Sequence, residues 1–440
     1  MGNKSPHLHT PSNMGELPSG WVWRRLDEVS DLIVDCPHST PQLTEEGFYV
    51  ARSQDIRSGV FRTDQAARVS ENTYIERIVR AEPSYGDLLY SREGTYFGIA
   101  AEVPRDVKLC LGQRMVLIRP TDKKVNFRFL RFWLNSPIMA GHLNGFRDGS
   151  VAERLNMPTI RTLSVILPPL QEQEAIADIL GSLDDKIEVN RKMNETLESM
   201  ARAIFKSWFI DFAPVHAKLK GQKPEGMDAE TAKLFPSSFQ ESEMGRIPKG
   251  WKVGSLGETH NLTMGQSPAG STYNENGDGL PFYQGRRDFG FRYPVLRIHC
   301  NASTRIAQQG DTLVSVRAPV GDINMASAKC CIGRGVAAVR HQSGSRSFTY
   351  YSIQGLQPSL QQFEGNGTVF GSINKDQFER LVVVAPTDDA VRVFENAVFS
   401  MDDKIEILTK EMNALSVTRD ALLPRLLSGE LMSKPEGVWL

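Results

Sequence analysis

The chain has 440 residues, 51 Lys and Arg against 52 Asp and Glu, and 40% hydrophobic residues, which is too long for one core and indicates two or three globular domains. No window approaches the ~20 apolar residues of a membrane span, and the five cysteines include no CxxC pair and no histidine partners at zinc spacing, so they read as reduced buried thiols in a cytoplasmic protein with no metal site. The near-zero net charge, -1, by itself excludes neither a nucleic-acid nor a protein partner.

Residues 1–14 form a polar tail without an apolar signal core. The first globular region, 15–167, opens on Leu17-Pro18-Ser19-Gly20-Trp21, and a second, 245–385, opens on the matching Ile247-Pro248-Lys249-Gly250-Trp251. Both break into short β-branched or aromatic runs punctuated by Gly, Pro, Asn and Asp, such as Leu88–Ser91 and Thr312–Ser315, which predict strands and turns. A helix is predicted over Phe127–Leu134, with a weaker counterpart near Phe348–Leu356. Each region closes on an apolar strand followed at once by Pro168 or Pro386, suited to the first turn of a helix.

The helices that follow, 168–212 and 386–424, are the same element written twice. Asp184-Asp185-Lys186-Ile187-Glu188 returns 218 positions later as Asp402-Asp403-Lys404-Ile405-Glu406. In the first, Ile176, Leu180, Leu183, Ile187, Asn190, Asn194, Leu197, Ala201 and Ile204 alternate at steps of four and three, and Phe394, Val398, Met401, Ile405, Leu408, Met412, Leu415, Arg419 and Leu422 repeat the pattern. This is a coiled-coil seam, and the expectation is that the two seams bury each other; the alternative is that each packs on its own neighbouring domain. Asn190 and Asn194, in the seam, would fix its register. Residues 213–244, rich in Lys, Glu, Pro, Gly and Ser, are expected to be a linker, and 425–440 a tail.

Division of the chain also divides its charge. The second globular region carries about six net positive charges, each helix is about four negative, and Arg far outnumbers Lys in both globular regions. Those regions, not the helices, are therefore the candidates for a polyanion. Catalytic patterns are missing: there is no GxxxxGK[ST], HExxH, GxSxG or HRD-type loop, no glycine-rich methionine-cofactor loop, and no Asn/Asp-Pro-Pro-Tyr/Phe base pocket. Two heads related by a two-fold axis, on antiparallel helices, would suit duplex DNA, whose major groove returns to one face every ~34 Å. The fold class expected is thus α+β, two mixed α/β domains separated by a pair of long antiparallel coiled-coil helices.

The LPxGW-type openings, LPPLQEQEAIADIL, the repeated LDDKIE-type core, SWFIDFAPV and LLPRLLSGEL follow one another from about Gly15 to Leu431. Together they resemble the specificity subunits of type I restriction–modification systems. The second helix departs from the pattern, beginning APTDDAVRVF where the first has PPLQEQEAIA. The resemblance implies two target recognition domains, each reading one half of a bipartite, asymmetric DNA sequence, with the helices setting the spacer. It implies as partners two modification subunits that methylate adenine with S-adenosylmethionine and restriction subunits that use ATP, and a chain that is itself not catalytic and needs no cofactor.

Arg92, Gln113, Arg114, Arg286, Arg287, Arg317 and Arg334 lie in or beside turns after strands, where long donors could reach guanine edges or phosphates; the alternative is ordinary surface arginines. Ser150 with Thr368, and Asn156 with Asn374, recur in both heads and are candidates for backbone contacts to DNA or for structural duty. Asp184, Asp185, Asp402 and Asp403 are either a solvated face or two copies of a docking site for a partner, and Trp208 and Phe209 are either a hydrophobic plug or a partner contact. Two rivals from other classes are a protein–protein adaptor with two heads on a coiled-coil spacer, and a fused methyltransferase with eroded motifs.

Overall fold

A computed structural model of the chain describes residues 11, 16–94, 96–144, 154–364 and 371–431. It divides into two compact units, Met1–Glu188 with Met412–Leu440, and Val189–Glu411. Each unit therefore takes one globular region together with half of each long helix.

In the first unit the opening strand Val22–Arg25 pairs antiparallel with the closing strand Ser164–Leu167, with Trp23 opposite Ile166. Trp21 is buried beside this pair, and its indole N–H donates to Glu172 Oε2 at 2.9 Å at the start of the long helix. A four-stranded antiparallel sheet follows, in the order Ser30–Asp35, Met115–Pro120, Leu88–Ser91, Ala100–Glu102. Its strand Leu88–Ser91 is buried along its whole length, which explains the uninterrupted apolar run. A second, three-stranded sheet joins Phe48–Ala51 in parallel to Leu109–Leu111. The helix Phe127–Leu134 has the predicted limits: Asn126 caps it, accepting from the Phe129 N–H, and it drives Phe129, Leu130, Phe132 and Trp133 into the core.

The second unit repeats this plan. Lys252–Ser255 pairs with Val382–Ala385, four antiparallel strands run in the order His260–Met264, Val336–His341, Thr312–Val316, Val320–Met325, and Leu280–Tyr283 lies parallel to Cys330–Ile332. The weaker predicted helix is Arg346–Gly355. Trp251 follows Trp21 by 230 positions whereas Val382 follows Ser164 by 218. The first head thus holds twelve more residues than the second between these landmarks, without a change in the order of its sheets.

The long helices are Leu170–Phe205, continued by a π-helical turn Lys206–Ile210, and Asp388–Leu427. Within the first unit Ile176, Ala177 and Leu180 share a core with Leu423, Leu426 and Leu427; within the second Ala201 and Phe205 share one with Phe394, Val398 and Ile405. The start of one helix thus meets the end of the other, and the two run antiparallel. None of the eighteen seam residues named above is exposed. Asn190 and Asn194 are buried, and the Asn194 amide donates to Thr409 Oγ1 at 3.2 Å.

Two expectations change. The stretch 213–244 is not a bare linker: it forms the helices Ala213–Leu219 and Ala229–Lys233 and a hairpin of Phe239–Ser242 with Gly245–Pro248. Met227, Ala232 and Phe235 anchor it in the second core, and Lys218 Nζ donates to the Ala232 carbonyl at 2.9 Å. Val215 is also buried in that core, so the polar composition hid four apolar anchors. The tail is also shorter than expected, because the second helix passes through Pro424 to bury Leu426 and Leu427.

Candidate nucleic-acid interface

In both heads the candidate donors sit on turns between corresponding strands. Ser91 lies opposite Met115 in the first sheet as Ser315 lies opposite Val336 in the second. The Arg92 N–H donates to the Arg114 carbonyl as the Val316 N–H donates to Gly335. Glu93 bridges to Arg154 as Arg317 bridges to Ser372. These matches fix the structural alignment of the two sites residue by residue.

The second head gathers its arginines. Arg286, on the short 3-10 turn after Leu280–Tyr283, Arg317, after Thr312–Val316, and Arg334, after Cys330–Ile332, line one cleft of about 720 Å³ with Gln266, Ser267 and Gln284. All three are exposed. Arg286 is ion-paired with Asp322, whereas among the described residues neither guanidinium of Arg317 and Arg334 has a hydrogen-bond or ion-pair partner. Arg287 is exposed beside them but does not line the cleft. Glycine permits the close approach of these turns: a Cβ on Gly335 would stand 2.4 Å from the Gln284 carbonyl.

The first head satisfies its donors internally. Arg92 is a correction: it is buried and its guanidinium pairs with Asp35 at 3.1 Å, so it braces the turn and is not presented to a ligand. Gln113 donates to the His38 carbonyl at 2.9 Å, and Arg114, 56% exposed at φ +67°, faces Glu93 at 3.4 Å. Asp35, Cys36 and His38 stand within 4.8 Å of one another. Asp35 is engaged by Arg92, however, and burial raises the Cys36 thiol, which opposes a metal-binding thiolate. All five cysteines are buried free thiols. A cleft of about 750 Å³ in this unit is lined by Phe97, Leu134, Leu143 and Leu423 together with Arg131, Arg419, Asp184 and Asp420, whose arginines and carboxylates face one another.

Asn156 and Asn374 have a structural task in the fold. Each is a helix N-cap whose amide oxygen accepts from the N–H three residues on, Thr159 at 2.8 Å and Gln377 at 2.9 Å. Their recurrence fits the structural alternative, a cap common to both heads. Ser150 and Thr368 lie outside the described residues.

The repeated aspartates divide within each pair. Asp184 is held by Arg131 and Arg419, both at 2.8 Å, and Arg131 also meets Glu102 at 2.8 Å. Asp402 is 1% exposed and accepts from Arg292 at 2.7 Å and from the Tyr351 hydroxyl at 3.0 Å. Arg292, 0% exposed, lies over the Tyr350 ring at 3.5 Å and near Glu198 at 3.5 Å. Burial opposes its charge, but Tyr350, Asp402, Tyr351 and Glu198 hold it well above its ordinary pKa. The first aspartate of each repeat thus clamps its own head to the helices. Asp185 is 60% exposed though bound by both arms of Arg128 at 2.9 Å, and Asp403 is exposed. Trp208 and Phe209 are a plug: they are buried among Phe205, Phe235, Trp251 and Phe394. Arg131 and Arg292, the residues sequence reasoning missed, carry no local signal; only the recurrence of an acid in a helix seam flank pointed toward a shared basic partner.

A family model, the type I restriction modification DNA specificity domain, matches residues 18–199 and again 248–416. The chain belongs to that type I specificity family. A Methanocaldococcus jannaschii chain provisionally named the type I restriction enzyme MjaX specificity subunit is 28% identical, covering 96% of each chain. The Haemophilus influenzae type I restriction enzyme HindI specificity subunit is 26% identical over 79% of this chain and 86% of its own. The crystal structure of the type I S subunit from M. genitalium, 17% identical, covers 95% of this chain and 98% of its own at a TM-score of 0.56, a likeness of fold. No helix among the described residues is long and apolar enough to cross a membrane.

Proposed function

We propose that this chain is the DNA-reading subunit of a type I restriction–modification complex, each head reading one half of a bipartite, asymmetric target. The observation that carries this reading is the repeat itself: one backbone plan occurs twice, and the corresponding turns carry different side chains, Glu93 and Gln113 in one head, Arg317 and Arg334 in the other. One scaffold with two sets of donors fits two half-sites of different sequence. The long helices are continuous from one unit into the other, 36 and 40 residues, roughly 54 and 60 Å. Their length sets the number of unread base pairs between the half-sites.

The chain performs no chemistry of its own in this reading. Two modification subunits, which methylate adenine at N6 with S-adenosylmethionine, dock on the exposed helix faces, where Asp185 and Asp403 are the accessible acids of the repeated pentapeptide. Restriction subunits using ATP complete the assembly. The test is to map N6-methyladenine across the genome of cells co-expressing this chain with a matching modification subunit. The expected result is a two-part asymmetric motif methylated in both halves, of which one half changes when residues 15–165 are exchanged for those of another family member. A confirmed complex that leaves no methylated motif would favour the adaptor reading instead.

A further inference from the structure

The alignment of the heads locates a difference in charge. Glu93 matches Arg317, Gln113 matches Arg334, and Asp35, opposite Val116, matches Met264, opposite Ala337. The two acids that neutralise Arg92 and Arg114 in the first head are therefore an arginine and a methionine in the second. Among the described residues nothing replaces them: Arg317 and Arg334 reach the cleft from different turns without a guanidinium partner among those residues, beside the polar side chains of Gln266, Ser267 and Gln284.

An unpaired guanidinium offers two parallel N–H donors. In the major groove guanine presents the matching pair of acceptors, N7 and O6, whereas adenine puts a donor beside N7 and thymine offers one acceptor and a methyl group. A phosphate would also accept both donors. The duplex, however, offers the same phosphates to both heads whatever their sequence, so contacts to phosphate belong at positions the heads share, and these two positions are among those that differ.

Resting on the reading of the second unit as a half-site reader, we infer that Arg317 and Arg334 recognise guanine. The half-site of the second head contains guanine at fixed positions, and the first head, with Glu93 and Gln113 at the matching places, reads its half-site by other chemistry. Arg286, already engaged by Asp322, is outside this assignment.

The test uses the full chain assembled with its modification subunits in cells and reads methylated motifs. The second head's half-motif, identified by exchanging residues 245–385, is expected to hold at least one invariant guanine. Arg317→Ala and Arg334→Ala should each weaken discrimination at a guanine by about tenfold or more, leaving the other half-motif intact. Arg317→Lys and Arg334→Lys, which keep the charge but lose the paired donors, should relax the same positions and decide the matter if the alanine variants fail to assemble. A half-motif without guanine, or variants that lower methylation at all sites equally with every position still fixed, as phosphate contacts would give, overturns the inference. A wild-type complex that yields no two-part motif overturns the functional reading beneath it.

Discussion

The two heads grip the long helices through the same aspartate of the repeat, but they do so in different surroundings. Around Asp184 the charges are shared and partly wet: Arg131 has Glu102 as a second acid, and Arg419 has Asp420 at 2.7 Å. Around Asp402 they are dry, with Arg292 enclosed by two tyrosine rings and two carboxylates. A repeated sequence therefore guarantees a repeated position but not a repeated energy, because the dielectric around a pair depends on what the rest of the head packs over it.

That contrast can be broken by removing each acid in turn. Asp402→Ala leaves a buried guanidinium with only the more distant Glu198, and urea unfolding should show a loss of about 3 kcal/mol. Asp184→Ala leaves both arginines a second acid and should lose about 1 kcal/mol; equal losses would show that the two clamps do not differ. Acid sharpens the comparison further. Burial, and then the neighbouring His341, pushes the His260 imidazole of the second unit down to about 3. A base depressed below its unfolded value of about 6.5 favours folding fully above that pH, and this contribution is lost as pH falls from 6.5 toward 3. Unfolding at pH 4.5 against pH 7 should show a deficit of about 2 kcal/mol, which His260→Gln reduces; an undiminished deficit would place the acid sensitivity elsewhere. The smallest effect belongs to the caps. Asn156→Ala and Asn374→Ala should each cost about 1 kcal/mol in stability while the methylated motif stays the same, and a changed motif would return these residues to the reading surface.

Much of the fold was legible because it rests on local pattern. The step of four and three marked the seams, short apolar, aromatic or β-branched runs marked Leu88–Ser91 and Thr312–Val316, and the apolar face of FRFLRFWL marked its helix. The site was legible only in part. Turns after strands put Arg317 and Arg334 on one cleft, but nothing near Arg92 announces Asp35, 57 positions earlier, which folds against it and takes its charge out of play. The same holds for Arg131 and Arg292, whose partners are set by tertiary packing. In 213–244 the few apolar anchors were outvoted by polar neighbours in a reading by composition, although burial needs only those few.

The division of the chain into units also orders its birth. The second unit, Val189–Glu411, is one uninterrupted stretch, whereas the first takes its final core residues, Leu423, Leu426 and Leu427, from the far end of the chain. During synthesis the ribosome releases everything the second unit needs before it releases the last helical turns that close the first. The head that is made first is thus finished last, and until then the apolar flank of Ile176 and Leu180 waits uncovered, a natural point for a chaperone or an early partner to act.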